Sequence, residues 1–240
     1  TEQREGNATM IREAIRKVVD GQHLTEDEAR AAMECIMNGE ATPSQIAAFI
    51  TALRMKGETV DEIVGCARAM RDKAERIRPR AKVVIDTCGT GGDGANTFNI
   101  STAAAFVAAG AGNRSVSSRC GSADVLEGFG IRIDLEPAQV ERCIDEIGIG
   151  FIFAPVFHKA MRHAVGPRRE IGVRTVFNVL GPLTNPAGAQ VQVVGVYDAR
   201  LTPLVAEVLG RLGVREAWVV HGLDRLDEIS ISERTQVSHL

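Results

Sequence analysis

The stretch Asp86-Thr-Cys-Gly-Thr-Gly-Gly-Asp-Gly-Ala-Asn-Thr-Phe-Asn-Ile-Ser-Thr102 gathers glycines, hydroxyls and carboxylates directly after the apolar run Val83-Val-Ile85. Glycines let backbone N–H groups approach anionic oxygens, and the Ser101 and Thr102 hydroxyls at a helix start add donors and the positive end of the helix dipole. A phosphate or pyrophosphate is the ligand such an order of residues would hold. Asp93 would repel it unless a cation or a ribose hydroxyl came between. The letters G-x-G-x-x-G from Gly89 to Gly94 also match a dinucleotide fingerprint, which requires a helix opening at once and an acidic residue about twenty positions on. Here Ala95 to Asn99 intervene, and the first acid after Asp93 is Asp124. An ordinary ATPase loop is excluded, because no lysine occurs between Lys82 and Lys159. A plain glycine-rich turn is the remaining alternative. Asp227-Glu228 is a second cluster; adjacent carboxylates serve as a solvated loop or as a hard-cation site, and the residues alone leave both open. No Ser-His-Asp or Cys-His signature calls for a covalent nucleophile.

These residues need elements to hold them. Three capping boxes, Thr25 to Glu28, Thr42 to Gln45 with Pro43 at the first helical position, and Thr59 to Glu62, divide the first seventy-odd residues into helices. Ile46, Phe49, Ile50 and Leu53 make one apolar face, and Gly57 is the expected stop. After Arg76-Ile-Arg-Pro-Arg-Ala81 the pattern changes to strands at Val83–Ile85, Gly148–Phe153, Val191–Tyr197 and Ala217–His221. Helices are expected over Ser101–Gly110, Pro137–Ile147 and Leu201–Leu212. The fold class is therefore α/β: a small N-terminal α-helical domain over residues 1–77, then a larger α/β domain over residues 80–240 with a mostly parallel central sheet. Ligands of such sheets bind beyond the carboxyl ends of the strands. Apolar residues at 45% and a formal charge of -3 suit a globular chain without the basic footprint that nucleic acid demands. Five widely spaced cysteines with no C-x-x-C pair suggest neither a disulfide framework nor a zinc site, and a reducing cytoplasm is the expected location. No apolar run is long enough to span a bilayer, and no targeting signal is expected.

Several motifs in order, Gly89-Thr-Gly-Gly-Asp93, Asn99-Ile-Ser-Thr102, Asn113-Arg-Ser-Val-Ser-Ser118, Gly121-Ser-Ala-Asp124, Arg174-Thr-Val-Phe-Asn-Val-Leu-Gly-Pro-Leu-Thr-Asn-Pro186 and Asp227-Glu228, resemble the anthranilate phosphoribosyltransferase family. The resemblance runs over nearly the whole chain. It implies a helical-plus-α/β fold in which the segment around residues 158–186 packs back onto the helical domain. It also implies transfer of the phosphoribosyl group of phosphoribosyl pyrophosphate to the amine of anthranilate, with release of pyrophosphate, in tryptophan biosynthesis. Gly89, Thr90, Gly91, Gly92 and Asp93 inherit the diphosphate side of phosphoribosyl pyrophosphate; Thr97, Asn99, Ser101, Thr102 and Ser117 complete that substrate's contacts. Asn113, His158 and Arg168, with Gly89, inherit the anthranilate side, Arg168 as a guanidinium fork for a planar carboxylate. Arg169 is adjacent and could be confused with it. Ser101, Asp227 and Glu228 inherit a Mg²⁺ site, with Asp224 as a weaker neighbour. A homodimer through the helical domain is implied as well, with small-molecule substrates and neither nucleic acid nor membrane as partners.

The pyrimidine nucleoside phosphorylases share this architecture, but their Lys-His-Ser-Thr-Gly-Gly loop is not what Asp86 to Asp93 spells. The family pattern carries a strand ending in Lys-His-Gly before Asn113, whereas Ala108-Ala-Gly-Ala-Gly-Asn113 passes directly from the alanine helix. It also continues past Leu240, so the α/β domain is expected to be incomplete at its C-terminus, with low stability and little activity if the molecule ends there. A member that binds ligand without turnover is the alternative these departures raise.

Overall fold

The computed structural model describes residues 2–91, 99–108 and 122–240. The chain divides into two compact units, one of Thr1–Ala74 with His158–Thr184, the other of Glu75–Phe157 with Asn185–Leu240.

The first unit is helical. Helices α1 (Glu2–Val19), α2 (Glu26–Met37), α3 (Pro43–Lys56) and α4 (Val60–Lys73) begin where the sequence places their caps. Thr25, Thr42 and Thr59 each accept from the backbone three residues on, and Glu28, Gln45 and Glu62 return the contact to the cap N–H. Gly57, at φ 87°, stops α3 as its sequence position suggested. The α2–α4 seam is closed by Gly65: a Cβ there would lie 2.2 Å from the Glu26 carbonyl oxygen. The Cys66 thiol donates to the Ala29 carbonyl across the same seam at 3.8 Å. Glu62 is fully buried, and its Oε1 accepts from Leu24 N–H at 3.0 Å while Oε2 pairs with the Lys56 ammonium at 2.9 Å. A buried carboxylate is tolerable only with such compensation.

The second unit begins with β1 (Ile85–Gly89), followed by α5 (Ile100–Ala108), α6 (Ser122–Gly128), α7 (Pro137–Ile147) and α8 (Ala154–Phe157). The chain then re-enters the helical unit for a 3-10 turn (Lys159–Met161), α9 (Arg162–Ile171) and α10 (Val176–Leu183). It returns through β2 (Val191–Gly195), α11 (Leu201–Arg211), β3 (Glu216–Gly222) and β4 (Thr235–His239). The sheet order is β1-β2-β3-β4; the first three strands are parallel and β4 is antiparallel to β3. Trp218 and His239, register partners on β3 and β4, pack with ring centroids 5.1 Å apart and planes tilted by 54°.

Two expected strands differ. The first runs from Ile85 to Gly89 rather than from Val83 to Ile85, so Asp86 to Gly89, read as loop, pair with β2, while the Val84 N–H donates to the Gln190 side chain at 2.9 Å. Gly148–Phe153 is not a strand. Its side chains alternate as an extended segment's do, Phe151 and Phe153 packing on Ala123, Leu126 and Ile133 while Ile152 joins Ile77, Val140 and Phe157. It has no ladder partner among the described residues, and a strand is defined by its partner. The antiparallel β4 was not foreseen; in Thr-Gln-Val-Ser-His only Val237 is apolar, in keeping with a largely exposed strand.

Candidate active site at the carboxyl edge of the sheet

The three parallel strands deliver their carboxyl ends to one edge, where Gly89 and Gly195 are register partners. The Gly222–Ser230 loop after β3 folds back over this edge. Leu226 carbonyl accepts from Gly222 N–H at 2.8 Å, and Asp224 Oδ2 accepts from the Ser230 and Ser232 hydroxyls at 2.6 and 2.8 Å. Arg225, at φ 77°, is the one non-glycine residue with positive φ among the described residues. Such a backbone costs on the order of 1 kcal/mol and persists only when its surroundings fix it.

That loop places the predicted carboxylates. Asp227 is buried, and its Oδ2 accepts from Gly91 N–H at 2.7 Å. Glu228 Oε1 accepts from the Ser101 hydroxyl at 2.5 Å. The sequence's two chemical clusters thus meet, and Asp227 is buried rather than solvated. Thr90 is fixed twice: its N–H donates to the Gly195 carbonyl at 2.9 Å, and its hydroxyl oxygen accepts from Tyr197 N–H at 3.0 Å.

Helix α5 opens one residue earlier than expected, with Asn99 as its cap: Asn99 Oδ1 accepts from Thr102 N–H at 2.8 Å and from the Ser122 hydroxyl at 3.3 Å. Capping by Asn99 leaves the Ser101 and Thr102 hydroxyls available for other work. The Thr102 hydroxyl is buried with no hydrogen-bond partner among the described residues. A buried orphan hydroxyl costs roughly 1–3 kcal/mol, which an anionic oxygen at this helix N-terminus would recover.

Beneath the loop lies a polar pair that the sequence reading passed over. Asp86 and Gln192 are register partners on β1 and β2, both buried, and Gln192 Nε2 donates to Asp86 Oδ2 at 3.1 Å. Burial raises the Asp86 carboxyl, offset in part by hydrogen bonds from Asn185, Cys88 and Gln192. The Cys88 thiol is driven well above its ordinary value by burial and by the Asp86 charge, so it is inert as a nucleophile. An acid directly after the β-branched run Val83-Val-Ile85 was the available signal.

Of the residues assigned to the aromatic substrate, His158 and Arg168 lie in the helical unit and Gly89 ends β1. His158 is half-buried, and burial pushes its imidazole down to about 4 despite an opposing hydrogen bond with the Thr184 backbone. It lines a small depression with Met37, Met70, Lys73, Ala160 and Met161; Arg168 is not part of that lining. Arg168 is half-buried with its guanidinium carbon 5.0 Å from the Phe177 ring centroid, whereas Arg169 is exposed. Burial alone lowers the Arg168 guanidinium. Stacking on Phe177 orients the Arg168 fork. Gly92, Asp93, Thr97, Asn113 and Ser117 lie outside the described residues.

The donor set suits Mg²⁺: two carboxylates and a hydroxyl are hard oxygen ligands, and this ion fills its remaining positions with water and substrate phosphates. Among the described residues no three His, Cys, Asp or Glu side chains gather as a denser metal cluster. No described helix is long and apolar enough to cross a membrane.

Residues 12–74 match the helical bundle domain of a glycosyl transferase family, and residues 81–240 match the a/b domain of the same family. The anthranilate phosphoribosyltransferase of Moorella thermoacetica is 63% identical over 238 residues, covering 96% of this chain and 70% of the relative. That of Acetivibrio thermocellus is 59% identical, covering 96% of this chain and 69% of the relative. Among solved structures, anthranilate phosphoribosyltransferase from Thermus thermophilus superposes with a TM-score of 0.88 at 44% identity, covering 95% of this chain and 72% of that one. The Saccharomyces cerevisiae enzyme in complex with phosphoribosyl pyrophosphate and Mg gives 0.89 at 28% identity, covering 96% and 70%.

Proposed function

The chain belongs to the anthranilate phosphoribosyltransferase family, and we infer from this that it transfers the phosphoribosyl group of phosphoribosyl pyrophosphate to the amine of anthranilate. The observation that carries the reading is the carboxyl edge, where the Gly91 amide, Ser101, Asp227 and Glu228 meet. Displacement at the ribose C1 passes through an oxocarbenium-like transition state with heavy charge on the departing diphosphate. The Thr102 hydroxyl, without a partner among the described residues, and the N-terminus of α5 meet that charge with fixed dipoles, which need no reorganisation as it develops. Asp227, Glu228 and Ser101 would hold Mg²⁺, which supplies further neutralisation of the leaving group when bound.

His158 and Arg168 serve the anthranilate side. A neutral imidazole does not add a second positive charge, and the stacked guanidinium offers two parallel donors to a planar carboxylate. The remaining contribution is positioning of two substrates. Product formation for tryptophan synthesis, a cytoplasmic setting and a homodimer through the helical unit belong to the same reading and rest on family membership.

The test is the fluorescence of anthranilate, which falls when phosphoribosyl pyrophosphate and Mg²⁺ are added if transfer occurs. Calorimetric binding of phosphoribosyl pyrophosphate without loss of fluorescence would favour a ligand-binding member without turnover, a reading prompted by the direct passage from Ala108 to Asn113. Phosphate-dependent cleavage of a pyrimidine nucleoside would instead indicate phosphorylase chemistry.

A further inference from the structure

The three parallel strands share an ending: β1 closes on Gly89, β2 on Gly195 and β3 on Gly222. None of the three has a positive φ, so conformational freedom is not the reason for glycine. Space is the reason. A Cβ on Gly195 would lie 1.5 Å from the Asp227 carbonyl oxygen and 2.5 Å from its carbonyl carbon. On Gly89 it would lie 2.9 Å from Asp227 Oδ2, and on Gly222 2.5 Å from Asp224 Oδ1 and 3.1 Å from the Ser230 Cβ. The same loop therefore fills the side-chain position of all three strand ends.

We propose that Gly89, Gly195 and Gly222 form a side-chain-free seat that positions the Asp227-Glu228 loop on the carboxyl edge, with Gly195 the residue on which that position chiefly depends. Gly195 meets backbone, which cannot swing aside as a side-chain tip can. A methyl group there must lift the loop, and lifting it draws Asp227 away from Gly91 N–H and Glu228 away from Ser101. Gly195 is a positioning residue: it acts through the two carboxylates and not on substrate. The inference rests on the Mg²⁺ site proposed above.

The experiment is calorimetric titration of the full chain with magnesium pyrophosphate, alongside thermal melting, for Gly195→Ala, for Asp227→Asn with Glu228→Gln, and for all three substitutions together. Gly195→Ala is expected to weaken binding about tenfold, the range seen when the supports of metal ligands are removed. It should cost nothing further in the background lacking both carboxylates. Gly89→Ala, which meets a carboxylate tip rather than backbone, should act in the same direction but less, and serves if Gly195→Ala does not fold. Gly128→Ala, where no atom lies within 4 Å of the added Cβ, should bind as the parent does. Undiminished binding by Gly195→Ala, or an equal loss with and without the carboxylates, would overturn the positioning role. If the Asp227→Asn, Glu228→Gln chain binds as tightly as the parent, the Mg²⁺ site itself is wrong, and the positioning role falls with it.

Discussion

The α2–α4 seam and the carboxyl edge of the sheet are both built on glycines that leave no room for a methyl group, yet they use that closeness differently. At the seam, Gly65 lets two helix backbones meet, and the buried charge nearby, Glu62, is neutralised by Lys56 and by backbone N–H groups. At the edge, Gly195 lets a loop backbone meet a strand end, and the carboxylates it carries lie against a backbone amide and a hydroxyl. One region spends its close contact on stability and completes its polar groups internally. The other keeps acids beside donors of the kind that hold phosphate, which favours a ligand over a rigid core.

Substitutions separate the two regions. Gly65→Ala should destabilise the chain by about 3 kcal/mol, at the upper end of overpacking effects, because the new methyl meets the Glu26 carbonyl on a helix that cannot move alone. Thermal and urea melting would show it; an unchanged midpoint would mean the seam is loose. Asp227→Asn with Glu228→Gln should do the reverse, lowering kcat/KM by about a hundredfold, or about 2.7 kcal/mol of transition-state stabilisation, with little change in melting. A large loss of stability there would make the edge a structural site like the seam.

His158 adds pH to the contrast. Its imidazole titrates at about 4 when folded, below the ordinary value of 6.5, so the unfolded chain binds more protons between those values. Stability present above pH 6.5 should therefore decline as pH falls toward 4. For a half-buried group this amounts to on the order of 1–2 kcal/mol after screening. Comparing melting of the parent and His158→Gln across that window isolates the effect, and parallel curves would remove it. The smallest effect expected is that of Thr59→Ala, about 1 kcal/mol, because it deletes one cap acceptor while the Glu62 contact to Lys56 persists.

Legibility followed the range of the interactions. Each capping box joins a threonine to an acid or amide three residues on, so Thr25, Thr42 and Thr59 announced the helices before any tertiary contact was known. The strand at Val191 and the helix at Pro137 were equally local in origin. Gly148–Phe153 misled because alternating apolar residues describe an extended segment, and only a neighbouring ladder makes it a strand. Gly195 was visible as a lone glycine within a strand pattern, a signal of close backbone approach, but nothing local says what approaches.

Local sequence was enough for the helix starts of the helical unit and for the types of group available to an anion and a hard cation. That Asp227 reaches Gly91 across 136 positions, and Glu228 reaches Ser101 across 127, emerged with the assembled fold alone. Caps and periodicities are settled within a turn or two of backbone. Meeting across so many residues depends on strand order, on parallel register and on three strand ends that lack side chains, and those are properties of the complete sheet.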